Sequence, residues 1–439
     1  MTFGTVRLKN VAGVVVSNVD KHSTDGEPAV KLCNYVDVYK NTYIDSNLPF
    51  MDSTASEEQV RRYSLRANDV IITKDSETPF DIAVPALVTE DIPGLVCGYH
   101  LAVIRANTNA LNPRFLLRAF QAKTTASYFA TSANGITRYG LTYHSLKNVP
   151  LPLPPISEQE RIANFLDRET AEADALVAKY ERLIELLEEK RVALITQAVT
   201  KGLDPTVPMK DSRVEWIGDI PAHWRVIRLK LTTDSLQTGP FGTVFQSNEY
   251  ISEGIPMINP THFADGLIRP STEHTVSRGT ALRLSRYAML QGDVLYARRG
   301  DTKKYGLVKL TQNGWVCGSD VIRVRVKRDR ISPDFLAAYT ASTAGQEFLM
   351  HSANGTTMDG INPSQLGNLS VPIPPTAEQS LIVESIALAC NDFENIKKSA
   401  AMAVSLALER RSALITAAVI GQIDVAAYRP KQQAQELPA

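Results

Sequence analysis

The chain has 439 residues, too many for one ordinary hydrophobic core, so two or more domains are expected. Its 47 basic and 47 acidic residues cancel, so a nucleic-acid partner would have to be met by locally segregated charge rather than by the chain as a whole. No run of 18 apolar residues predicts a transmembrane helix, the first residues lack the pattern of a secretory leader, and the four scattered cysteines (Cys33, Cys97, Cys317, Cys390) predict neither a disulfide framework nor a zinc site, so a cytoplasmic protein is expected.

In chain order, residues 1–156 open with short apolar runs, "GVVVSNV", "DVIIT" and "LVCGYHLAVIRA", broken by Gly, Pro, Asn and Asp. These predict strands, and "NPRFLLRAFQAKTTASYFA" (112–130) predicts one helix. Pro154-Pro155 closes this part, because a proline pair cannot sit inside a helix. Ser157 with Glu160 then reads as a capping box opening a helix over 157–201. That helix is about 44 residues long, roughly 66 Å at 1.5 Å per residue, and Gly202 stops it. Residues 202–212 read as a linker. Residues 213–375 repeat the mixed α/β plan, with "DVLYARR", "WVCGSDVIRVRVKR" and a helix over "SPDFLAAYTASTAGQEFLMHS". Thr376 with Gln379 reads as a second capping box, a second long helix spans 376–421, and the tail 422–439 is expected to be disordered. In the first long helix Ala173, Leu176, Tyr180, Leu183, Leu187 and Leu194 recur at heptad spacing. Their counterparts in the second are Phe393, Ile396, Ala400, Ala403, Ala407 and Leu414. Alanines opposite bulky residues predict a coiled coil of one thick and one thin helix.

The counterparts follow from a repeat. "RVALITQAV" (191–199) returns as "RSALITAAV" (411–419), at an offset of 220 residues. At the same offset "PPISEQ" meets "PPTAEQ", "SANGITRYG" meets "SANGTTMDG", and "GLVCG" meets "GWVCG". The chain is two tandem copies of one unit, each a mixed α/β domain followed by a long helix.

The motifs of enzymes are missing: no phosphate-binding glycine loop, no dinucleotide fingerprint, no paired-histidine metal motif and no nucleophile elbow. No cofactor is expected. His144 and His351 read as solvated side chains. The most extensively repeated loop is G-x-T-x-x-G, with Gly135, Thr137 and Gly140 matching Gly355, Thr357 and Gly360. Glycine allows a close backbone approach, and a threonine hydroxyl with free N–H groups can hold a phosphate. The plainer alternative is a tight turn. Arg138 and Tyr139 in one copy face Met358 and Asp359 in the other, a fixed frame with different tips. A second candidate is "ARRGDTKKYG" (297–306), where Arg298, Arg299, Lys303, Lys304 and Tyr305 suit base edges and phosphates; its alternative is a solvated hairpin tip. The first copy has only Lys74 there. "QTGPFGT" (237–243) reads as a glycine-rich turn. Arg323, Arg325 and Lys327 alternate onto one face of a strand. With 18 basic against 14 acidic residues, the second domain is the visibly basic one.

With the doubled P-P-x-x-E-Q, the doubled A-L-I-T at the helix ends and the lead-in "DSRVEWIGDIPAHWRVIRLK" (211–230), the chain resembles the specificity subunits of type I restriction–modification systems over essentially its whole length. It departs in one place: the first domain lacks the "VEWIG…HW" lead-in and starts at "VRLK". The resemblance implies two α/β (α+β) target recognition domains, 1–156 and 213–375, each reading one half of a bipartite double-stranded DNA site. It implies that the two helices pair as an antiparallel coiled coil in a pseudo-two-fold arrangement. It also implies docking of two methyltransferase subunits and of nuclease-translocase subunits, which carry the catalysis. Two other readings compete: a coiled-coil adaptor that does not read DNA, and a self-contained restriction or methyltransferase enzyme.

Overall fold

The computed structural model describes residues 3–353 and 360–428. They form two compact units: one takes the chain up to Glu181 together with the part from Ala401 onward, the other takes Arg182–Ala400. Each unit therefore holds one globular part and one half of each long helix.

In the first unit a five-stranded sheet has the order Ala12–Val16, Leu101–Ala106, Asp69–Thr73, Pro85–Val88, Tyr43–Ile44, antiparallel except for the last pair. The central strand Asp69–Thr73 is buried at every position, so its middle residues Val70, Ile71 and Ile72 are apolar in succession rather than alternating with polar ones. Val70, Ile72, Ala102 and Ile104 face a core that contains Phe115, Leu116 and Phe120. Ile71, Leu101 and Val103 face the other way, onto a core shared with the sheet of Met51–Thr54, Ala29–Cys33 and Leu95–Cys97. The second unit repeats this with four antiparallel strands, Thr233–Thr238, Val321–Val326, Val294–Ala297 and Tyr305–Leu307.

The arginine-rich strand turns inward. Arg325 grips Asp293 with two hydrogen bonds of 2.8 and 2.7 Å, as Arg105 grips Asp69 in the first unit at 2.8 and 2.9 Å. Arg323 is buried, and it donates to the Arg286 and Ala288 carbonyls and to Gln237. Arg323 and Arg325 therefore serve the fold, because a buried guanidinium must find acceptors inside.

The stretch 112–130 is two helices, Pro113–Gln121 and Lys123–Ser132, not one. Ala122 between them is extended, at φ −68° and ψ 138°. The second unit breaks likewise between Pro333–Ala341 and Thr343–Ala353. At each break a threonine of the repeated nonapeptide accepts the first N–H of the following helix: Thr416 from Lys123 at 3.0 Å, Thr196 from Thr343 at 2.9 Å. Around them Ile415, Ala418 and Val419 complete the first core, and Ile195, Ala198 and Val199 the second. Each copy of the nonapeptide thus belongs to the unit of the other globular part.

The long helices span Ile156–Lys201 and Thr376–Val419, followed by Gly202 and Gly421 at φ +74° and +75°. They start one residue after the proline pairs, and neither expected capping box forms. Gln159 points inward instead, donating to the Ala110 and Pro154 carbonyls and accepting from the Asn112 N–H. Gln379 does the same with Arg330, Pro374 and Ser332. The helices run antiparallel in both units. In the first, Arg411 meets Asp174 at 2.8 Å; in the second, Lys397 meets Glu188. Leu187, Ala400 and Ala407 are buried along the seam, whereas Ile396 is exposed and Lys397 takes its place. The expected linker contains the strand Met209–Asp211, paired with Asp219–Pro221, and Ile217, Ile220 and Trp224 enter the second core. The tail's first residues are also placed, with the Tyr428 ring 4.9 Å from that of Phe165; the remainder of the expected disordered tail, 429–439, lies outside the described residues.

Replacing either buried glutamine strands three polar backbone groups. Gln159→Ala and Gln379→Ala should each cost about 2–3 kcal/mol, the penalty of unpaired buried groups, read as a lowered urea midpoint for the unit concerned. An unchanged midpoint would show that water replaces the side chain without loss.

Candidate nucleic-acid interface

In the first unit the central strand runs into Lys74 and the short strand Asp75–Ser76, which pairs antiparallel with Tyr139–Gly140 of the glycine loop. Two sequence candidates more than sixty positions apart are thereby joined, and Leu141 N–H donates to the Lys74 carbonyl at 2.9 Å. Gly135 sits at φ +149°, and a Cβ there would lie 1.9 Å from the Arg138 carbonyl oxygen, so the loop requires glycine. Thr137 and Arg138 are exposed on it, while Tyr139 is half-buried against the core. Lys74 is no free cation, because its ammonium lies 2.8 Å from Asp75.

Asp75 also meets His100 Nδ1 at 2.8 Å, and His100 Nε2 lies 3.4 Å from Arg138 Nη2. Burial pushes the Asp75 carboxyl up, but the hydrogen bonds from Lys74 and His100 outweigh it and hold the group below its ordinary value. Tyr99 packs on the His100 ring with centroids 3.5 Å apart. Phe80 and Ile136, 88% and 92% exposed, stand free as apolar tips.

The second unit has the same frame. Arg299 bridges Gly360, and Ile361 N–H donates to the Arg298 carbonyl at 2.9 Å. Arg298 N–H donates to the Asp320 carbonyl at 2.7 Å, as Lys74 N–H does to that of His100 at 2.8 Å. Thr357, with Met358 and Asp359, lies outside the described residues. The basic cluster that looks continuous in sequence is split. Strands Val294–Ala297 and Tyr305–Leu307 form a hairpin whose loop turns at Gly300, φ +71°. Arg298 and Arg299 line a cleft with Phe241, Gly242, Phe245 and Tyr250, so the "QTGPFGT" turn joins the candidate site after all. Lys303, Lys304 and Tyr305 line a different cleft, with Arg191, Asp265 and Gln346. Tyr305 packs against the second core, and burial foremost pushes its hydroxyl up to about 12.

Sequence reasoning missed Asp75, His100 and Asp320. The signal was present: "CGYH" and "CGSD" end the same repeated strand, and the variable residues fall beside the candidate loops. Among the described residues no group of His, Cys, Asp and Glu could hold a metal ion, and no helix is long and apolar enough to cross a membrane.

The model of the type I restriction modification DNA specificity domain matches residues 17–186 and again 240–400, one match for each copy. The chain is 25% identical over 370 residues to the EcoBI specificity subunit of Escherichia coli, covering 82% of this chain and 73% of that one. It is 25% identical over 244 residues to the MjaVIII specificity subunit of Methanocaldococcus jannaschii, covering 55% of each. A solved chain from a study of complex assembly and conformational transition of the type I R-M system superposes with a TM-score of 0.67 at 21% identity, covering 96% of this chain and 98% of that one. With both copies matched, the chain belongs to the type I restriction modification DNA specificity family: it is a specificity subunit, the non-catalytic component that supplies DNA sequence recognition to a type I system.

Proposed function

We infer that each unit reads one half of a bipartite site in double-stranded DNA, and that the paired helices hold the two readers at a set spacing. The observation that carries this reading is the repeated junction of strand-end loop and glycine loop, the same frame presenting different side chains in the two copies. In the first unit Thr137, Arg138 and Tyr139 stand at the junction, with Lys74 bracing it; in the second Arg298 and Arg299 do, and in the sequence repeat Thr357 is the counterpart of Thr137. Lys303 and Lys304, set on the far limb of the hairpin, suit backbone phosphates, and Tyr305 supports them. The partners are two methyltransferase subunits, with nuclease-translocase subunits joining them in the cytoplasm. Leu381, Leu388, Met402 and Leu406 are exposed on the second long helix, apolar positions that the helix pair does not use and that suit a docking partner.

The reading is tested by selecting bound duplexes from a random pool, using the chain assembled with its methyltransferase partners. A bipartite consensus supports it, and recovery of no sequence preference by a well-folded complex overturns it in favour of an adaptor role. Exchanging residues 1–156 for the first domain of another family member should then alter one half of the consensus only. Arg298→Ala or Arg299→Ala should cost about 1–3 kcal/mol and relax one base position, whereas Lys303→Ala should weaken all sequences alike and lower the salt slope by about one. Equal effects of the three on every sequence would remove the arginines from base reading.

The helices as a spacer make a separate prediction. Adding one heptad to each helix at matching positions preserves the seam and adds about 10 Å, close to three base pairs at 3.4 Å each. The original spacer should lose its preference. A folded variant, helical by circular dichroism, that still methylates only the original spacer would show that the helices do not set the distance.

A further inference from the structure

The third residue after Cys97 is His100, and the third after Cys317 is Asp320; each lies next to an arginine at its unit's loop junction, Arg138 and Arg299 respectively. In the first unit that arginine comes from the glycine loop: Arg138 Nη2 lies 3.4 Å from His100 Nε2. In the second it comes from the strand-end loop: Arg299 Nε lies 3.9 Å from an Asp320 carboxylate oxygen. The two arginines occupy different loops, yet each lies beside the same place in the repeat. That place is fixed by backbone, because the carbonyl of His100 or Asp320 accepts the N–H of Lys74 or Arg298 in the strand-end loop.

We propose that His100 and Asp320 are the positioning residues for base recognition, each aiming its unit's arginine at one base of one half-site. The proposal rests on the half-site reading above and adds which residue sets the arginine's direction. In the first unit the chemistry is asymmetric. An arginine can only donate, so His100 Nε2 is the acceptor and the ring proton sits on Nδ1, where it is donated to Asp75, 2.8 Å away. Asp75 is in turn held by Lys74 at 2.8 Å, and Tyr99 packs on the imidazole with ring centroids 3.5 Å apart. The imidazole is thus clamped on two sides, and Arg138, otherwise exposed on a glycine loop, leaves solution with one direction already chosen. Such preorganisation matters for a guanidinium, whose two-pronged match to guanine O6 and N7 depends on its angle. It also explains why Lys74 and Asp75 sit beside a reading loop without reaching out of it: they hold the holder.

The test uses the full chain assembled with its methyltransferase partners and a duplex pool randomised across both half-sites. His100→Asn keeps a polar atom near Nδ1 for Asp75 but has none at Nε2; His100→Gln places an oxygen close to Nε2. His100→Asn and Arg138→Ala should flatten the preference at the same single base, each by about tenfold or more, the worth of one good bidentate contact. His100→Gln should retain that preference, which a merely structural role for the ring would not predict. Asp320→Ala should flatten one base in the opposite half. The proposal is overturned if Arg138→Ala, which alters only an exposed side chain, changes no base preference. It is equally overturned if His100→Asn and Arg138→Ala affect different bases, or if His100→Gln loses as much as His100→Asn. If the wild-type chain selects no bipartite sequence at all, the half-site reading itself fails, and that result is separable because no variant is needed to see it.

Discussion

The structure depends on one packing constraint: the end of each long helix is core material for the unit that the other helix leaves. Ile195, Ala198 and Val199 lie among the apolar residues of the second unit, and Ile415, Ala418 and Val419 among those of the first. Burying three such side chains contributes several kcal/mol, on the order of 1–3 kcal/mol for each large one. A single-residue slip of the helix against the unit would rotate those residues by about 100° and withdraw them. The threonine contact sharpens the fit: Thr416 completes the N-terminus of a short helix that has no cap from its own sequence, and Thr196 adds to the cap that Ser342 supplies to its counterpart.

The same constraint explains why the helix starts look as they do. A helix whose far end must enter another unit's core needs a fixed point of departure. The proline pairs and the buried glutamines provide it, with Gln159 and Gln379 each satisfying groups on both sides of the junction. Arg114 and Arg118 add a second tie, both bonding Asp167 on the first long helix from the neighbouring short one. With the seam ion pairs Asp174–Arg411 and Glu188–Lys397, the register is specified from the ends inward. The exposed ion pairs of the seam are worth little individually; their value is in excluding other alignments.

A neutral chain that recognises DNA has to spend its cations selectively. Many of the arginines are structural: Arg105 and Arg325 close carboxylate pairs inside the sheets, Arg118 is 1% exposed, and Arg323 is 4% exposed. The cations left at the loop junctions are few, and Lys74, Arg138 and Arg299 each lie beside a polar neighbour: Asp75, His100 and Asp320. Recognition by a handful of oriented groups favours base discrimination over bulk phosphate attraction, which would need an excess of positive charge.

The sequence by itself determined the duplication, the two long helices and the mixed strands of each globular part. Those are local or self-referential properties: heptads, proline pairs, helix-ending glycines and a constant offset can be read without knowing what touches what. It also marked the glycine loop and the strand-end loop, since Gly135 and the run from Arg298 to Lys304 are unusual where they stand. It misjudged features whose meaning lies in their neighbours. Gln379 looked like the partner in a capping box and is a buried tie, as is Gln159, which the sequence did not single out; Ile396 looked like a seam residue and faces solvent; the basic run divides between two clefts because a hairpin separates its limbs. Only the tertiary structure decided which charges are engaged and which are presented. A side chain's partners come from segments tens to hundreds of positions away, and His100 meets Arg138, or Thr416 meets Lys123, only after the sheets and helices have closed.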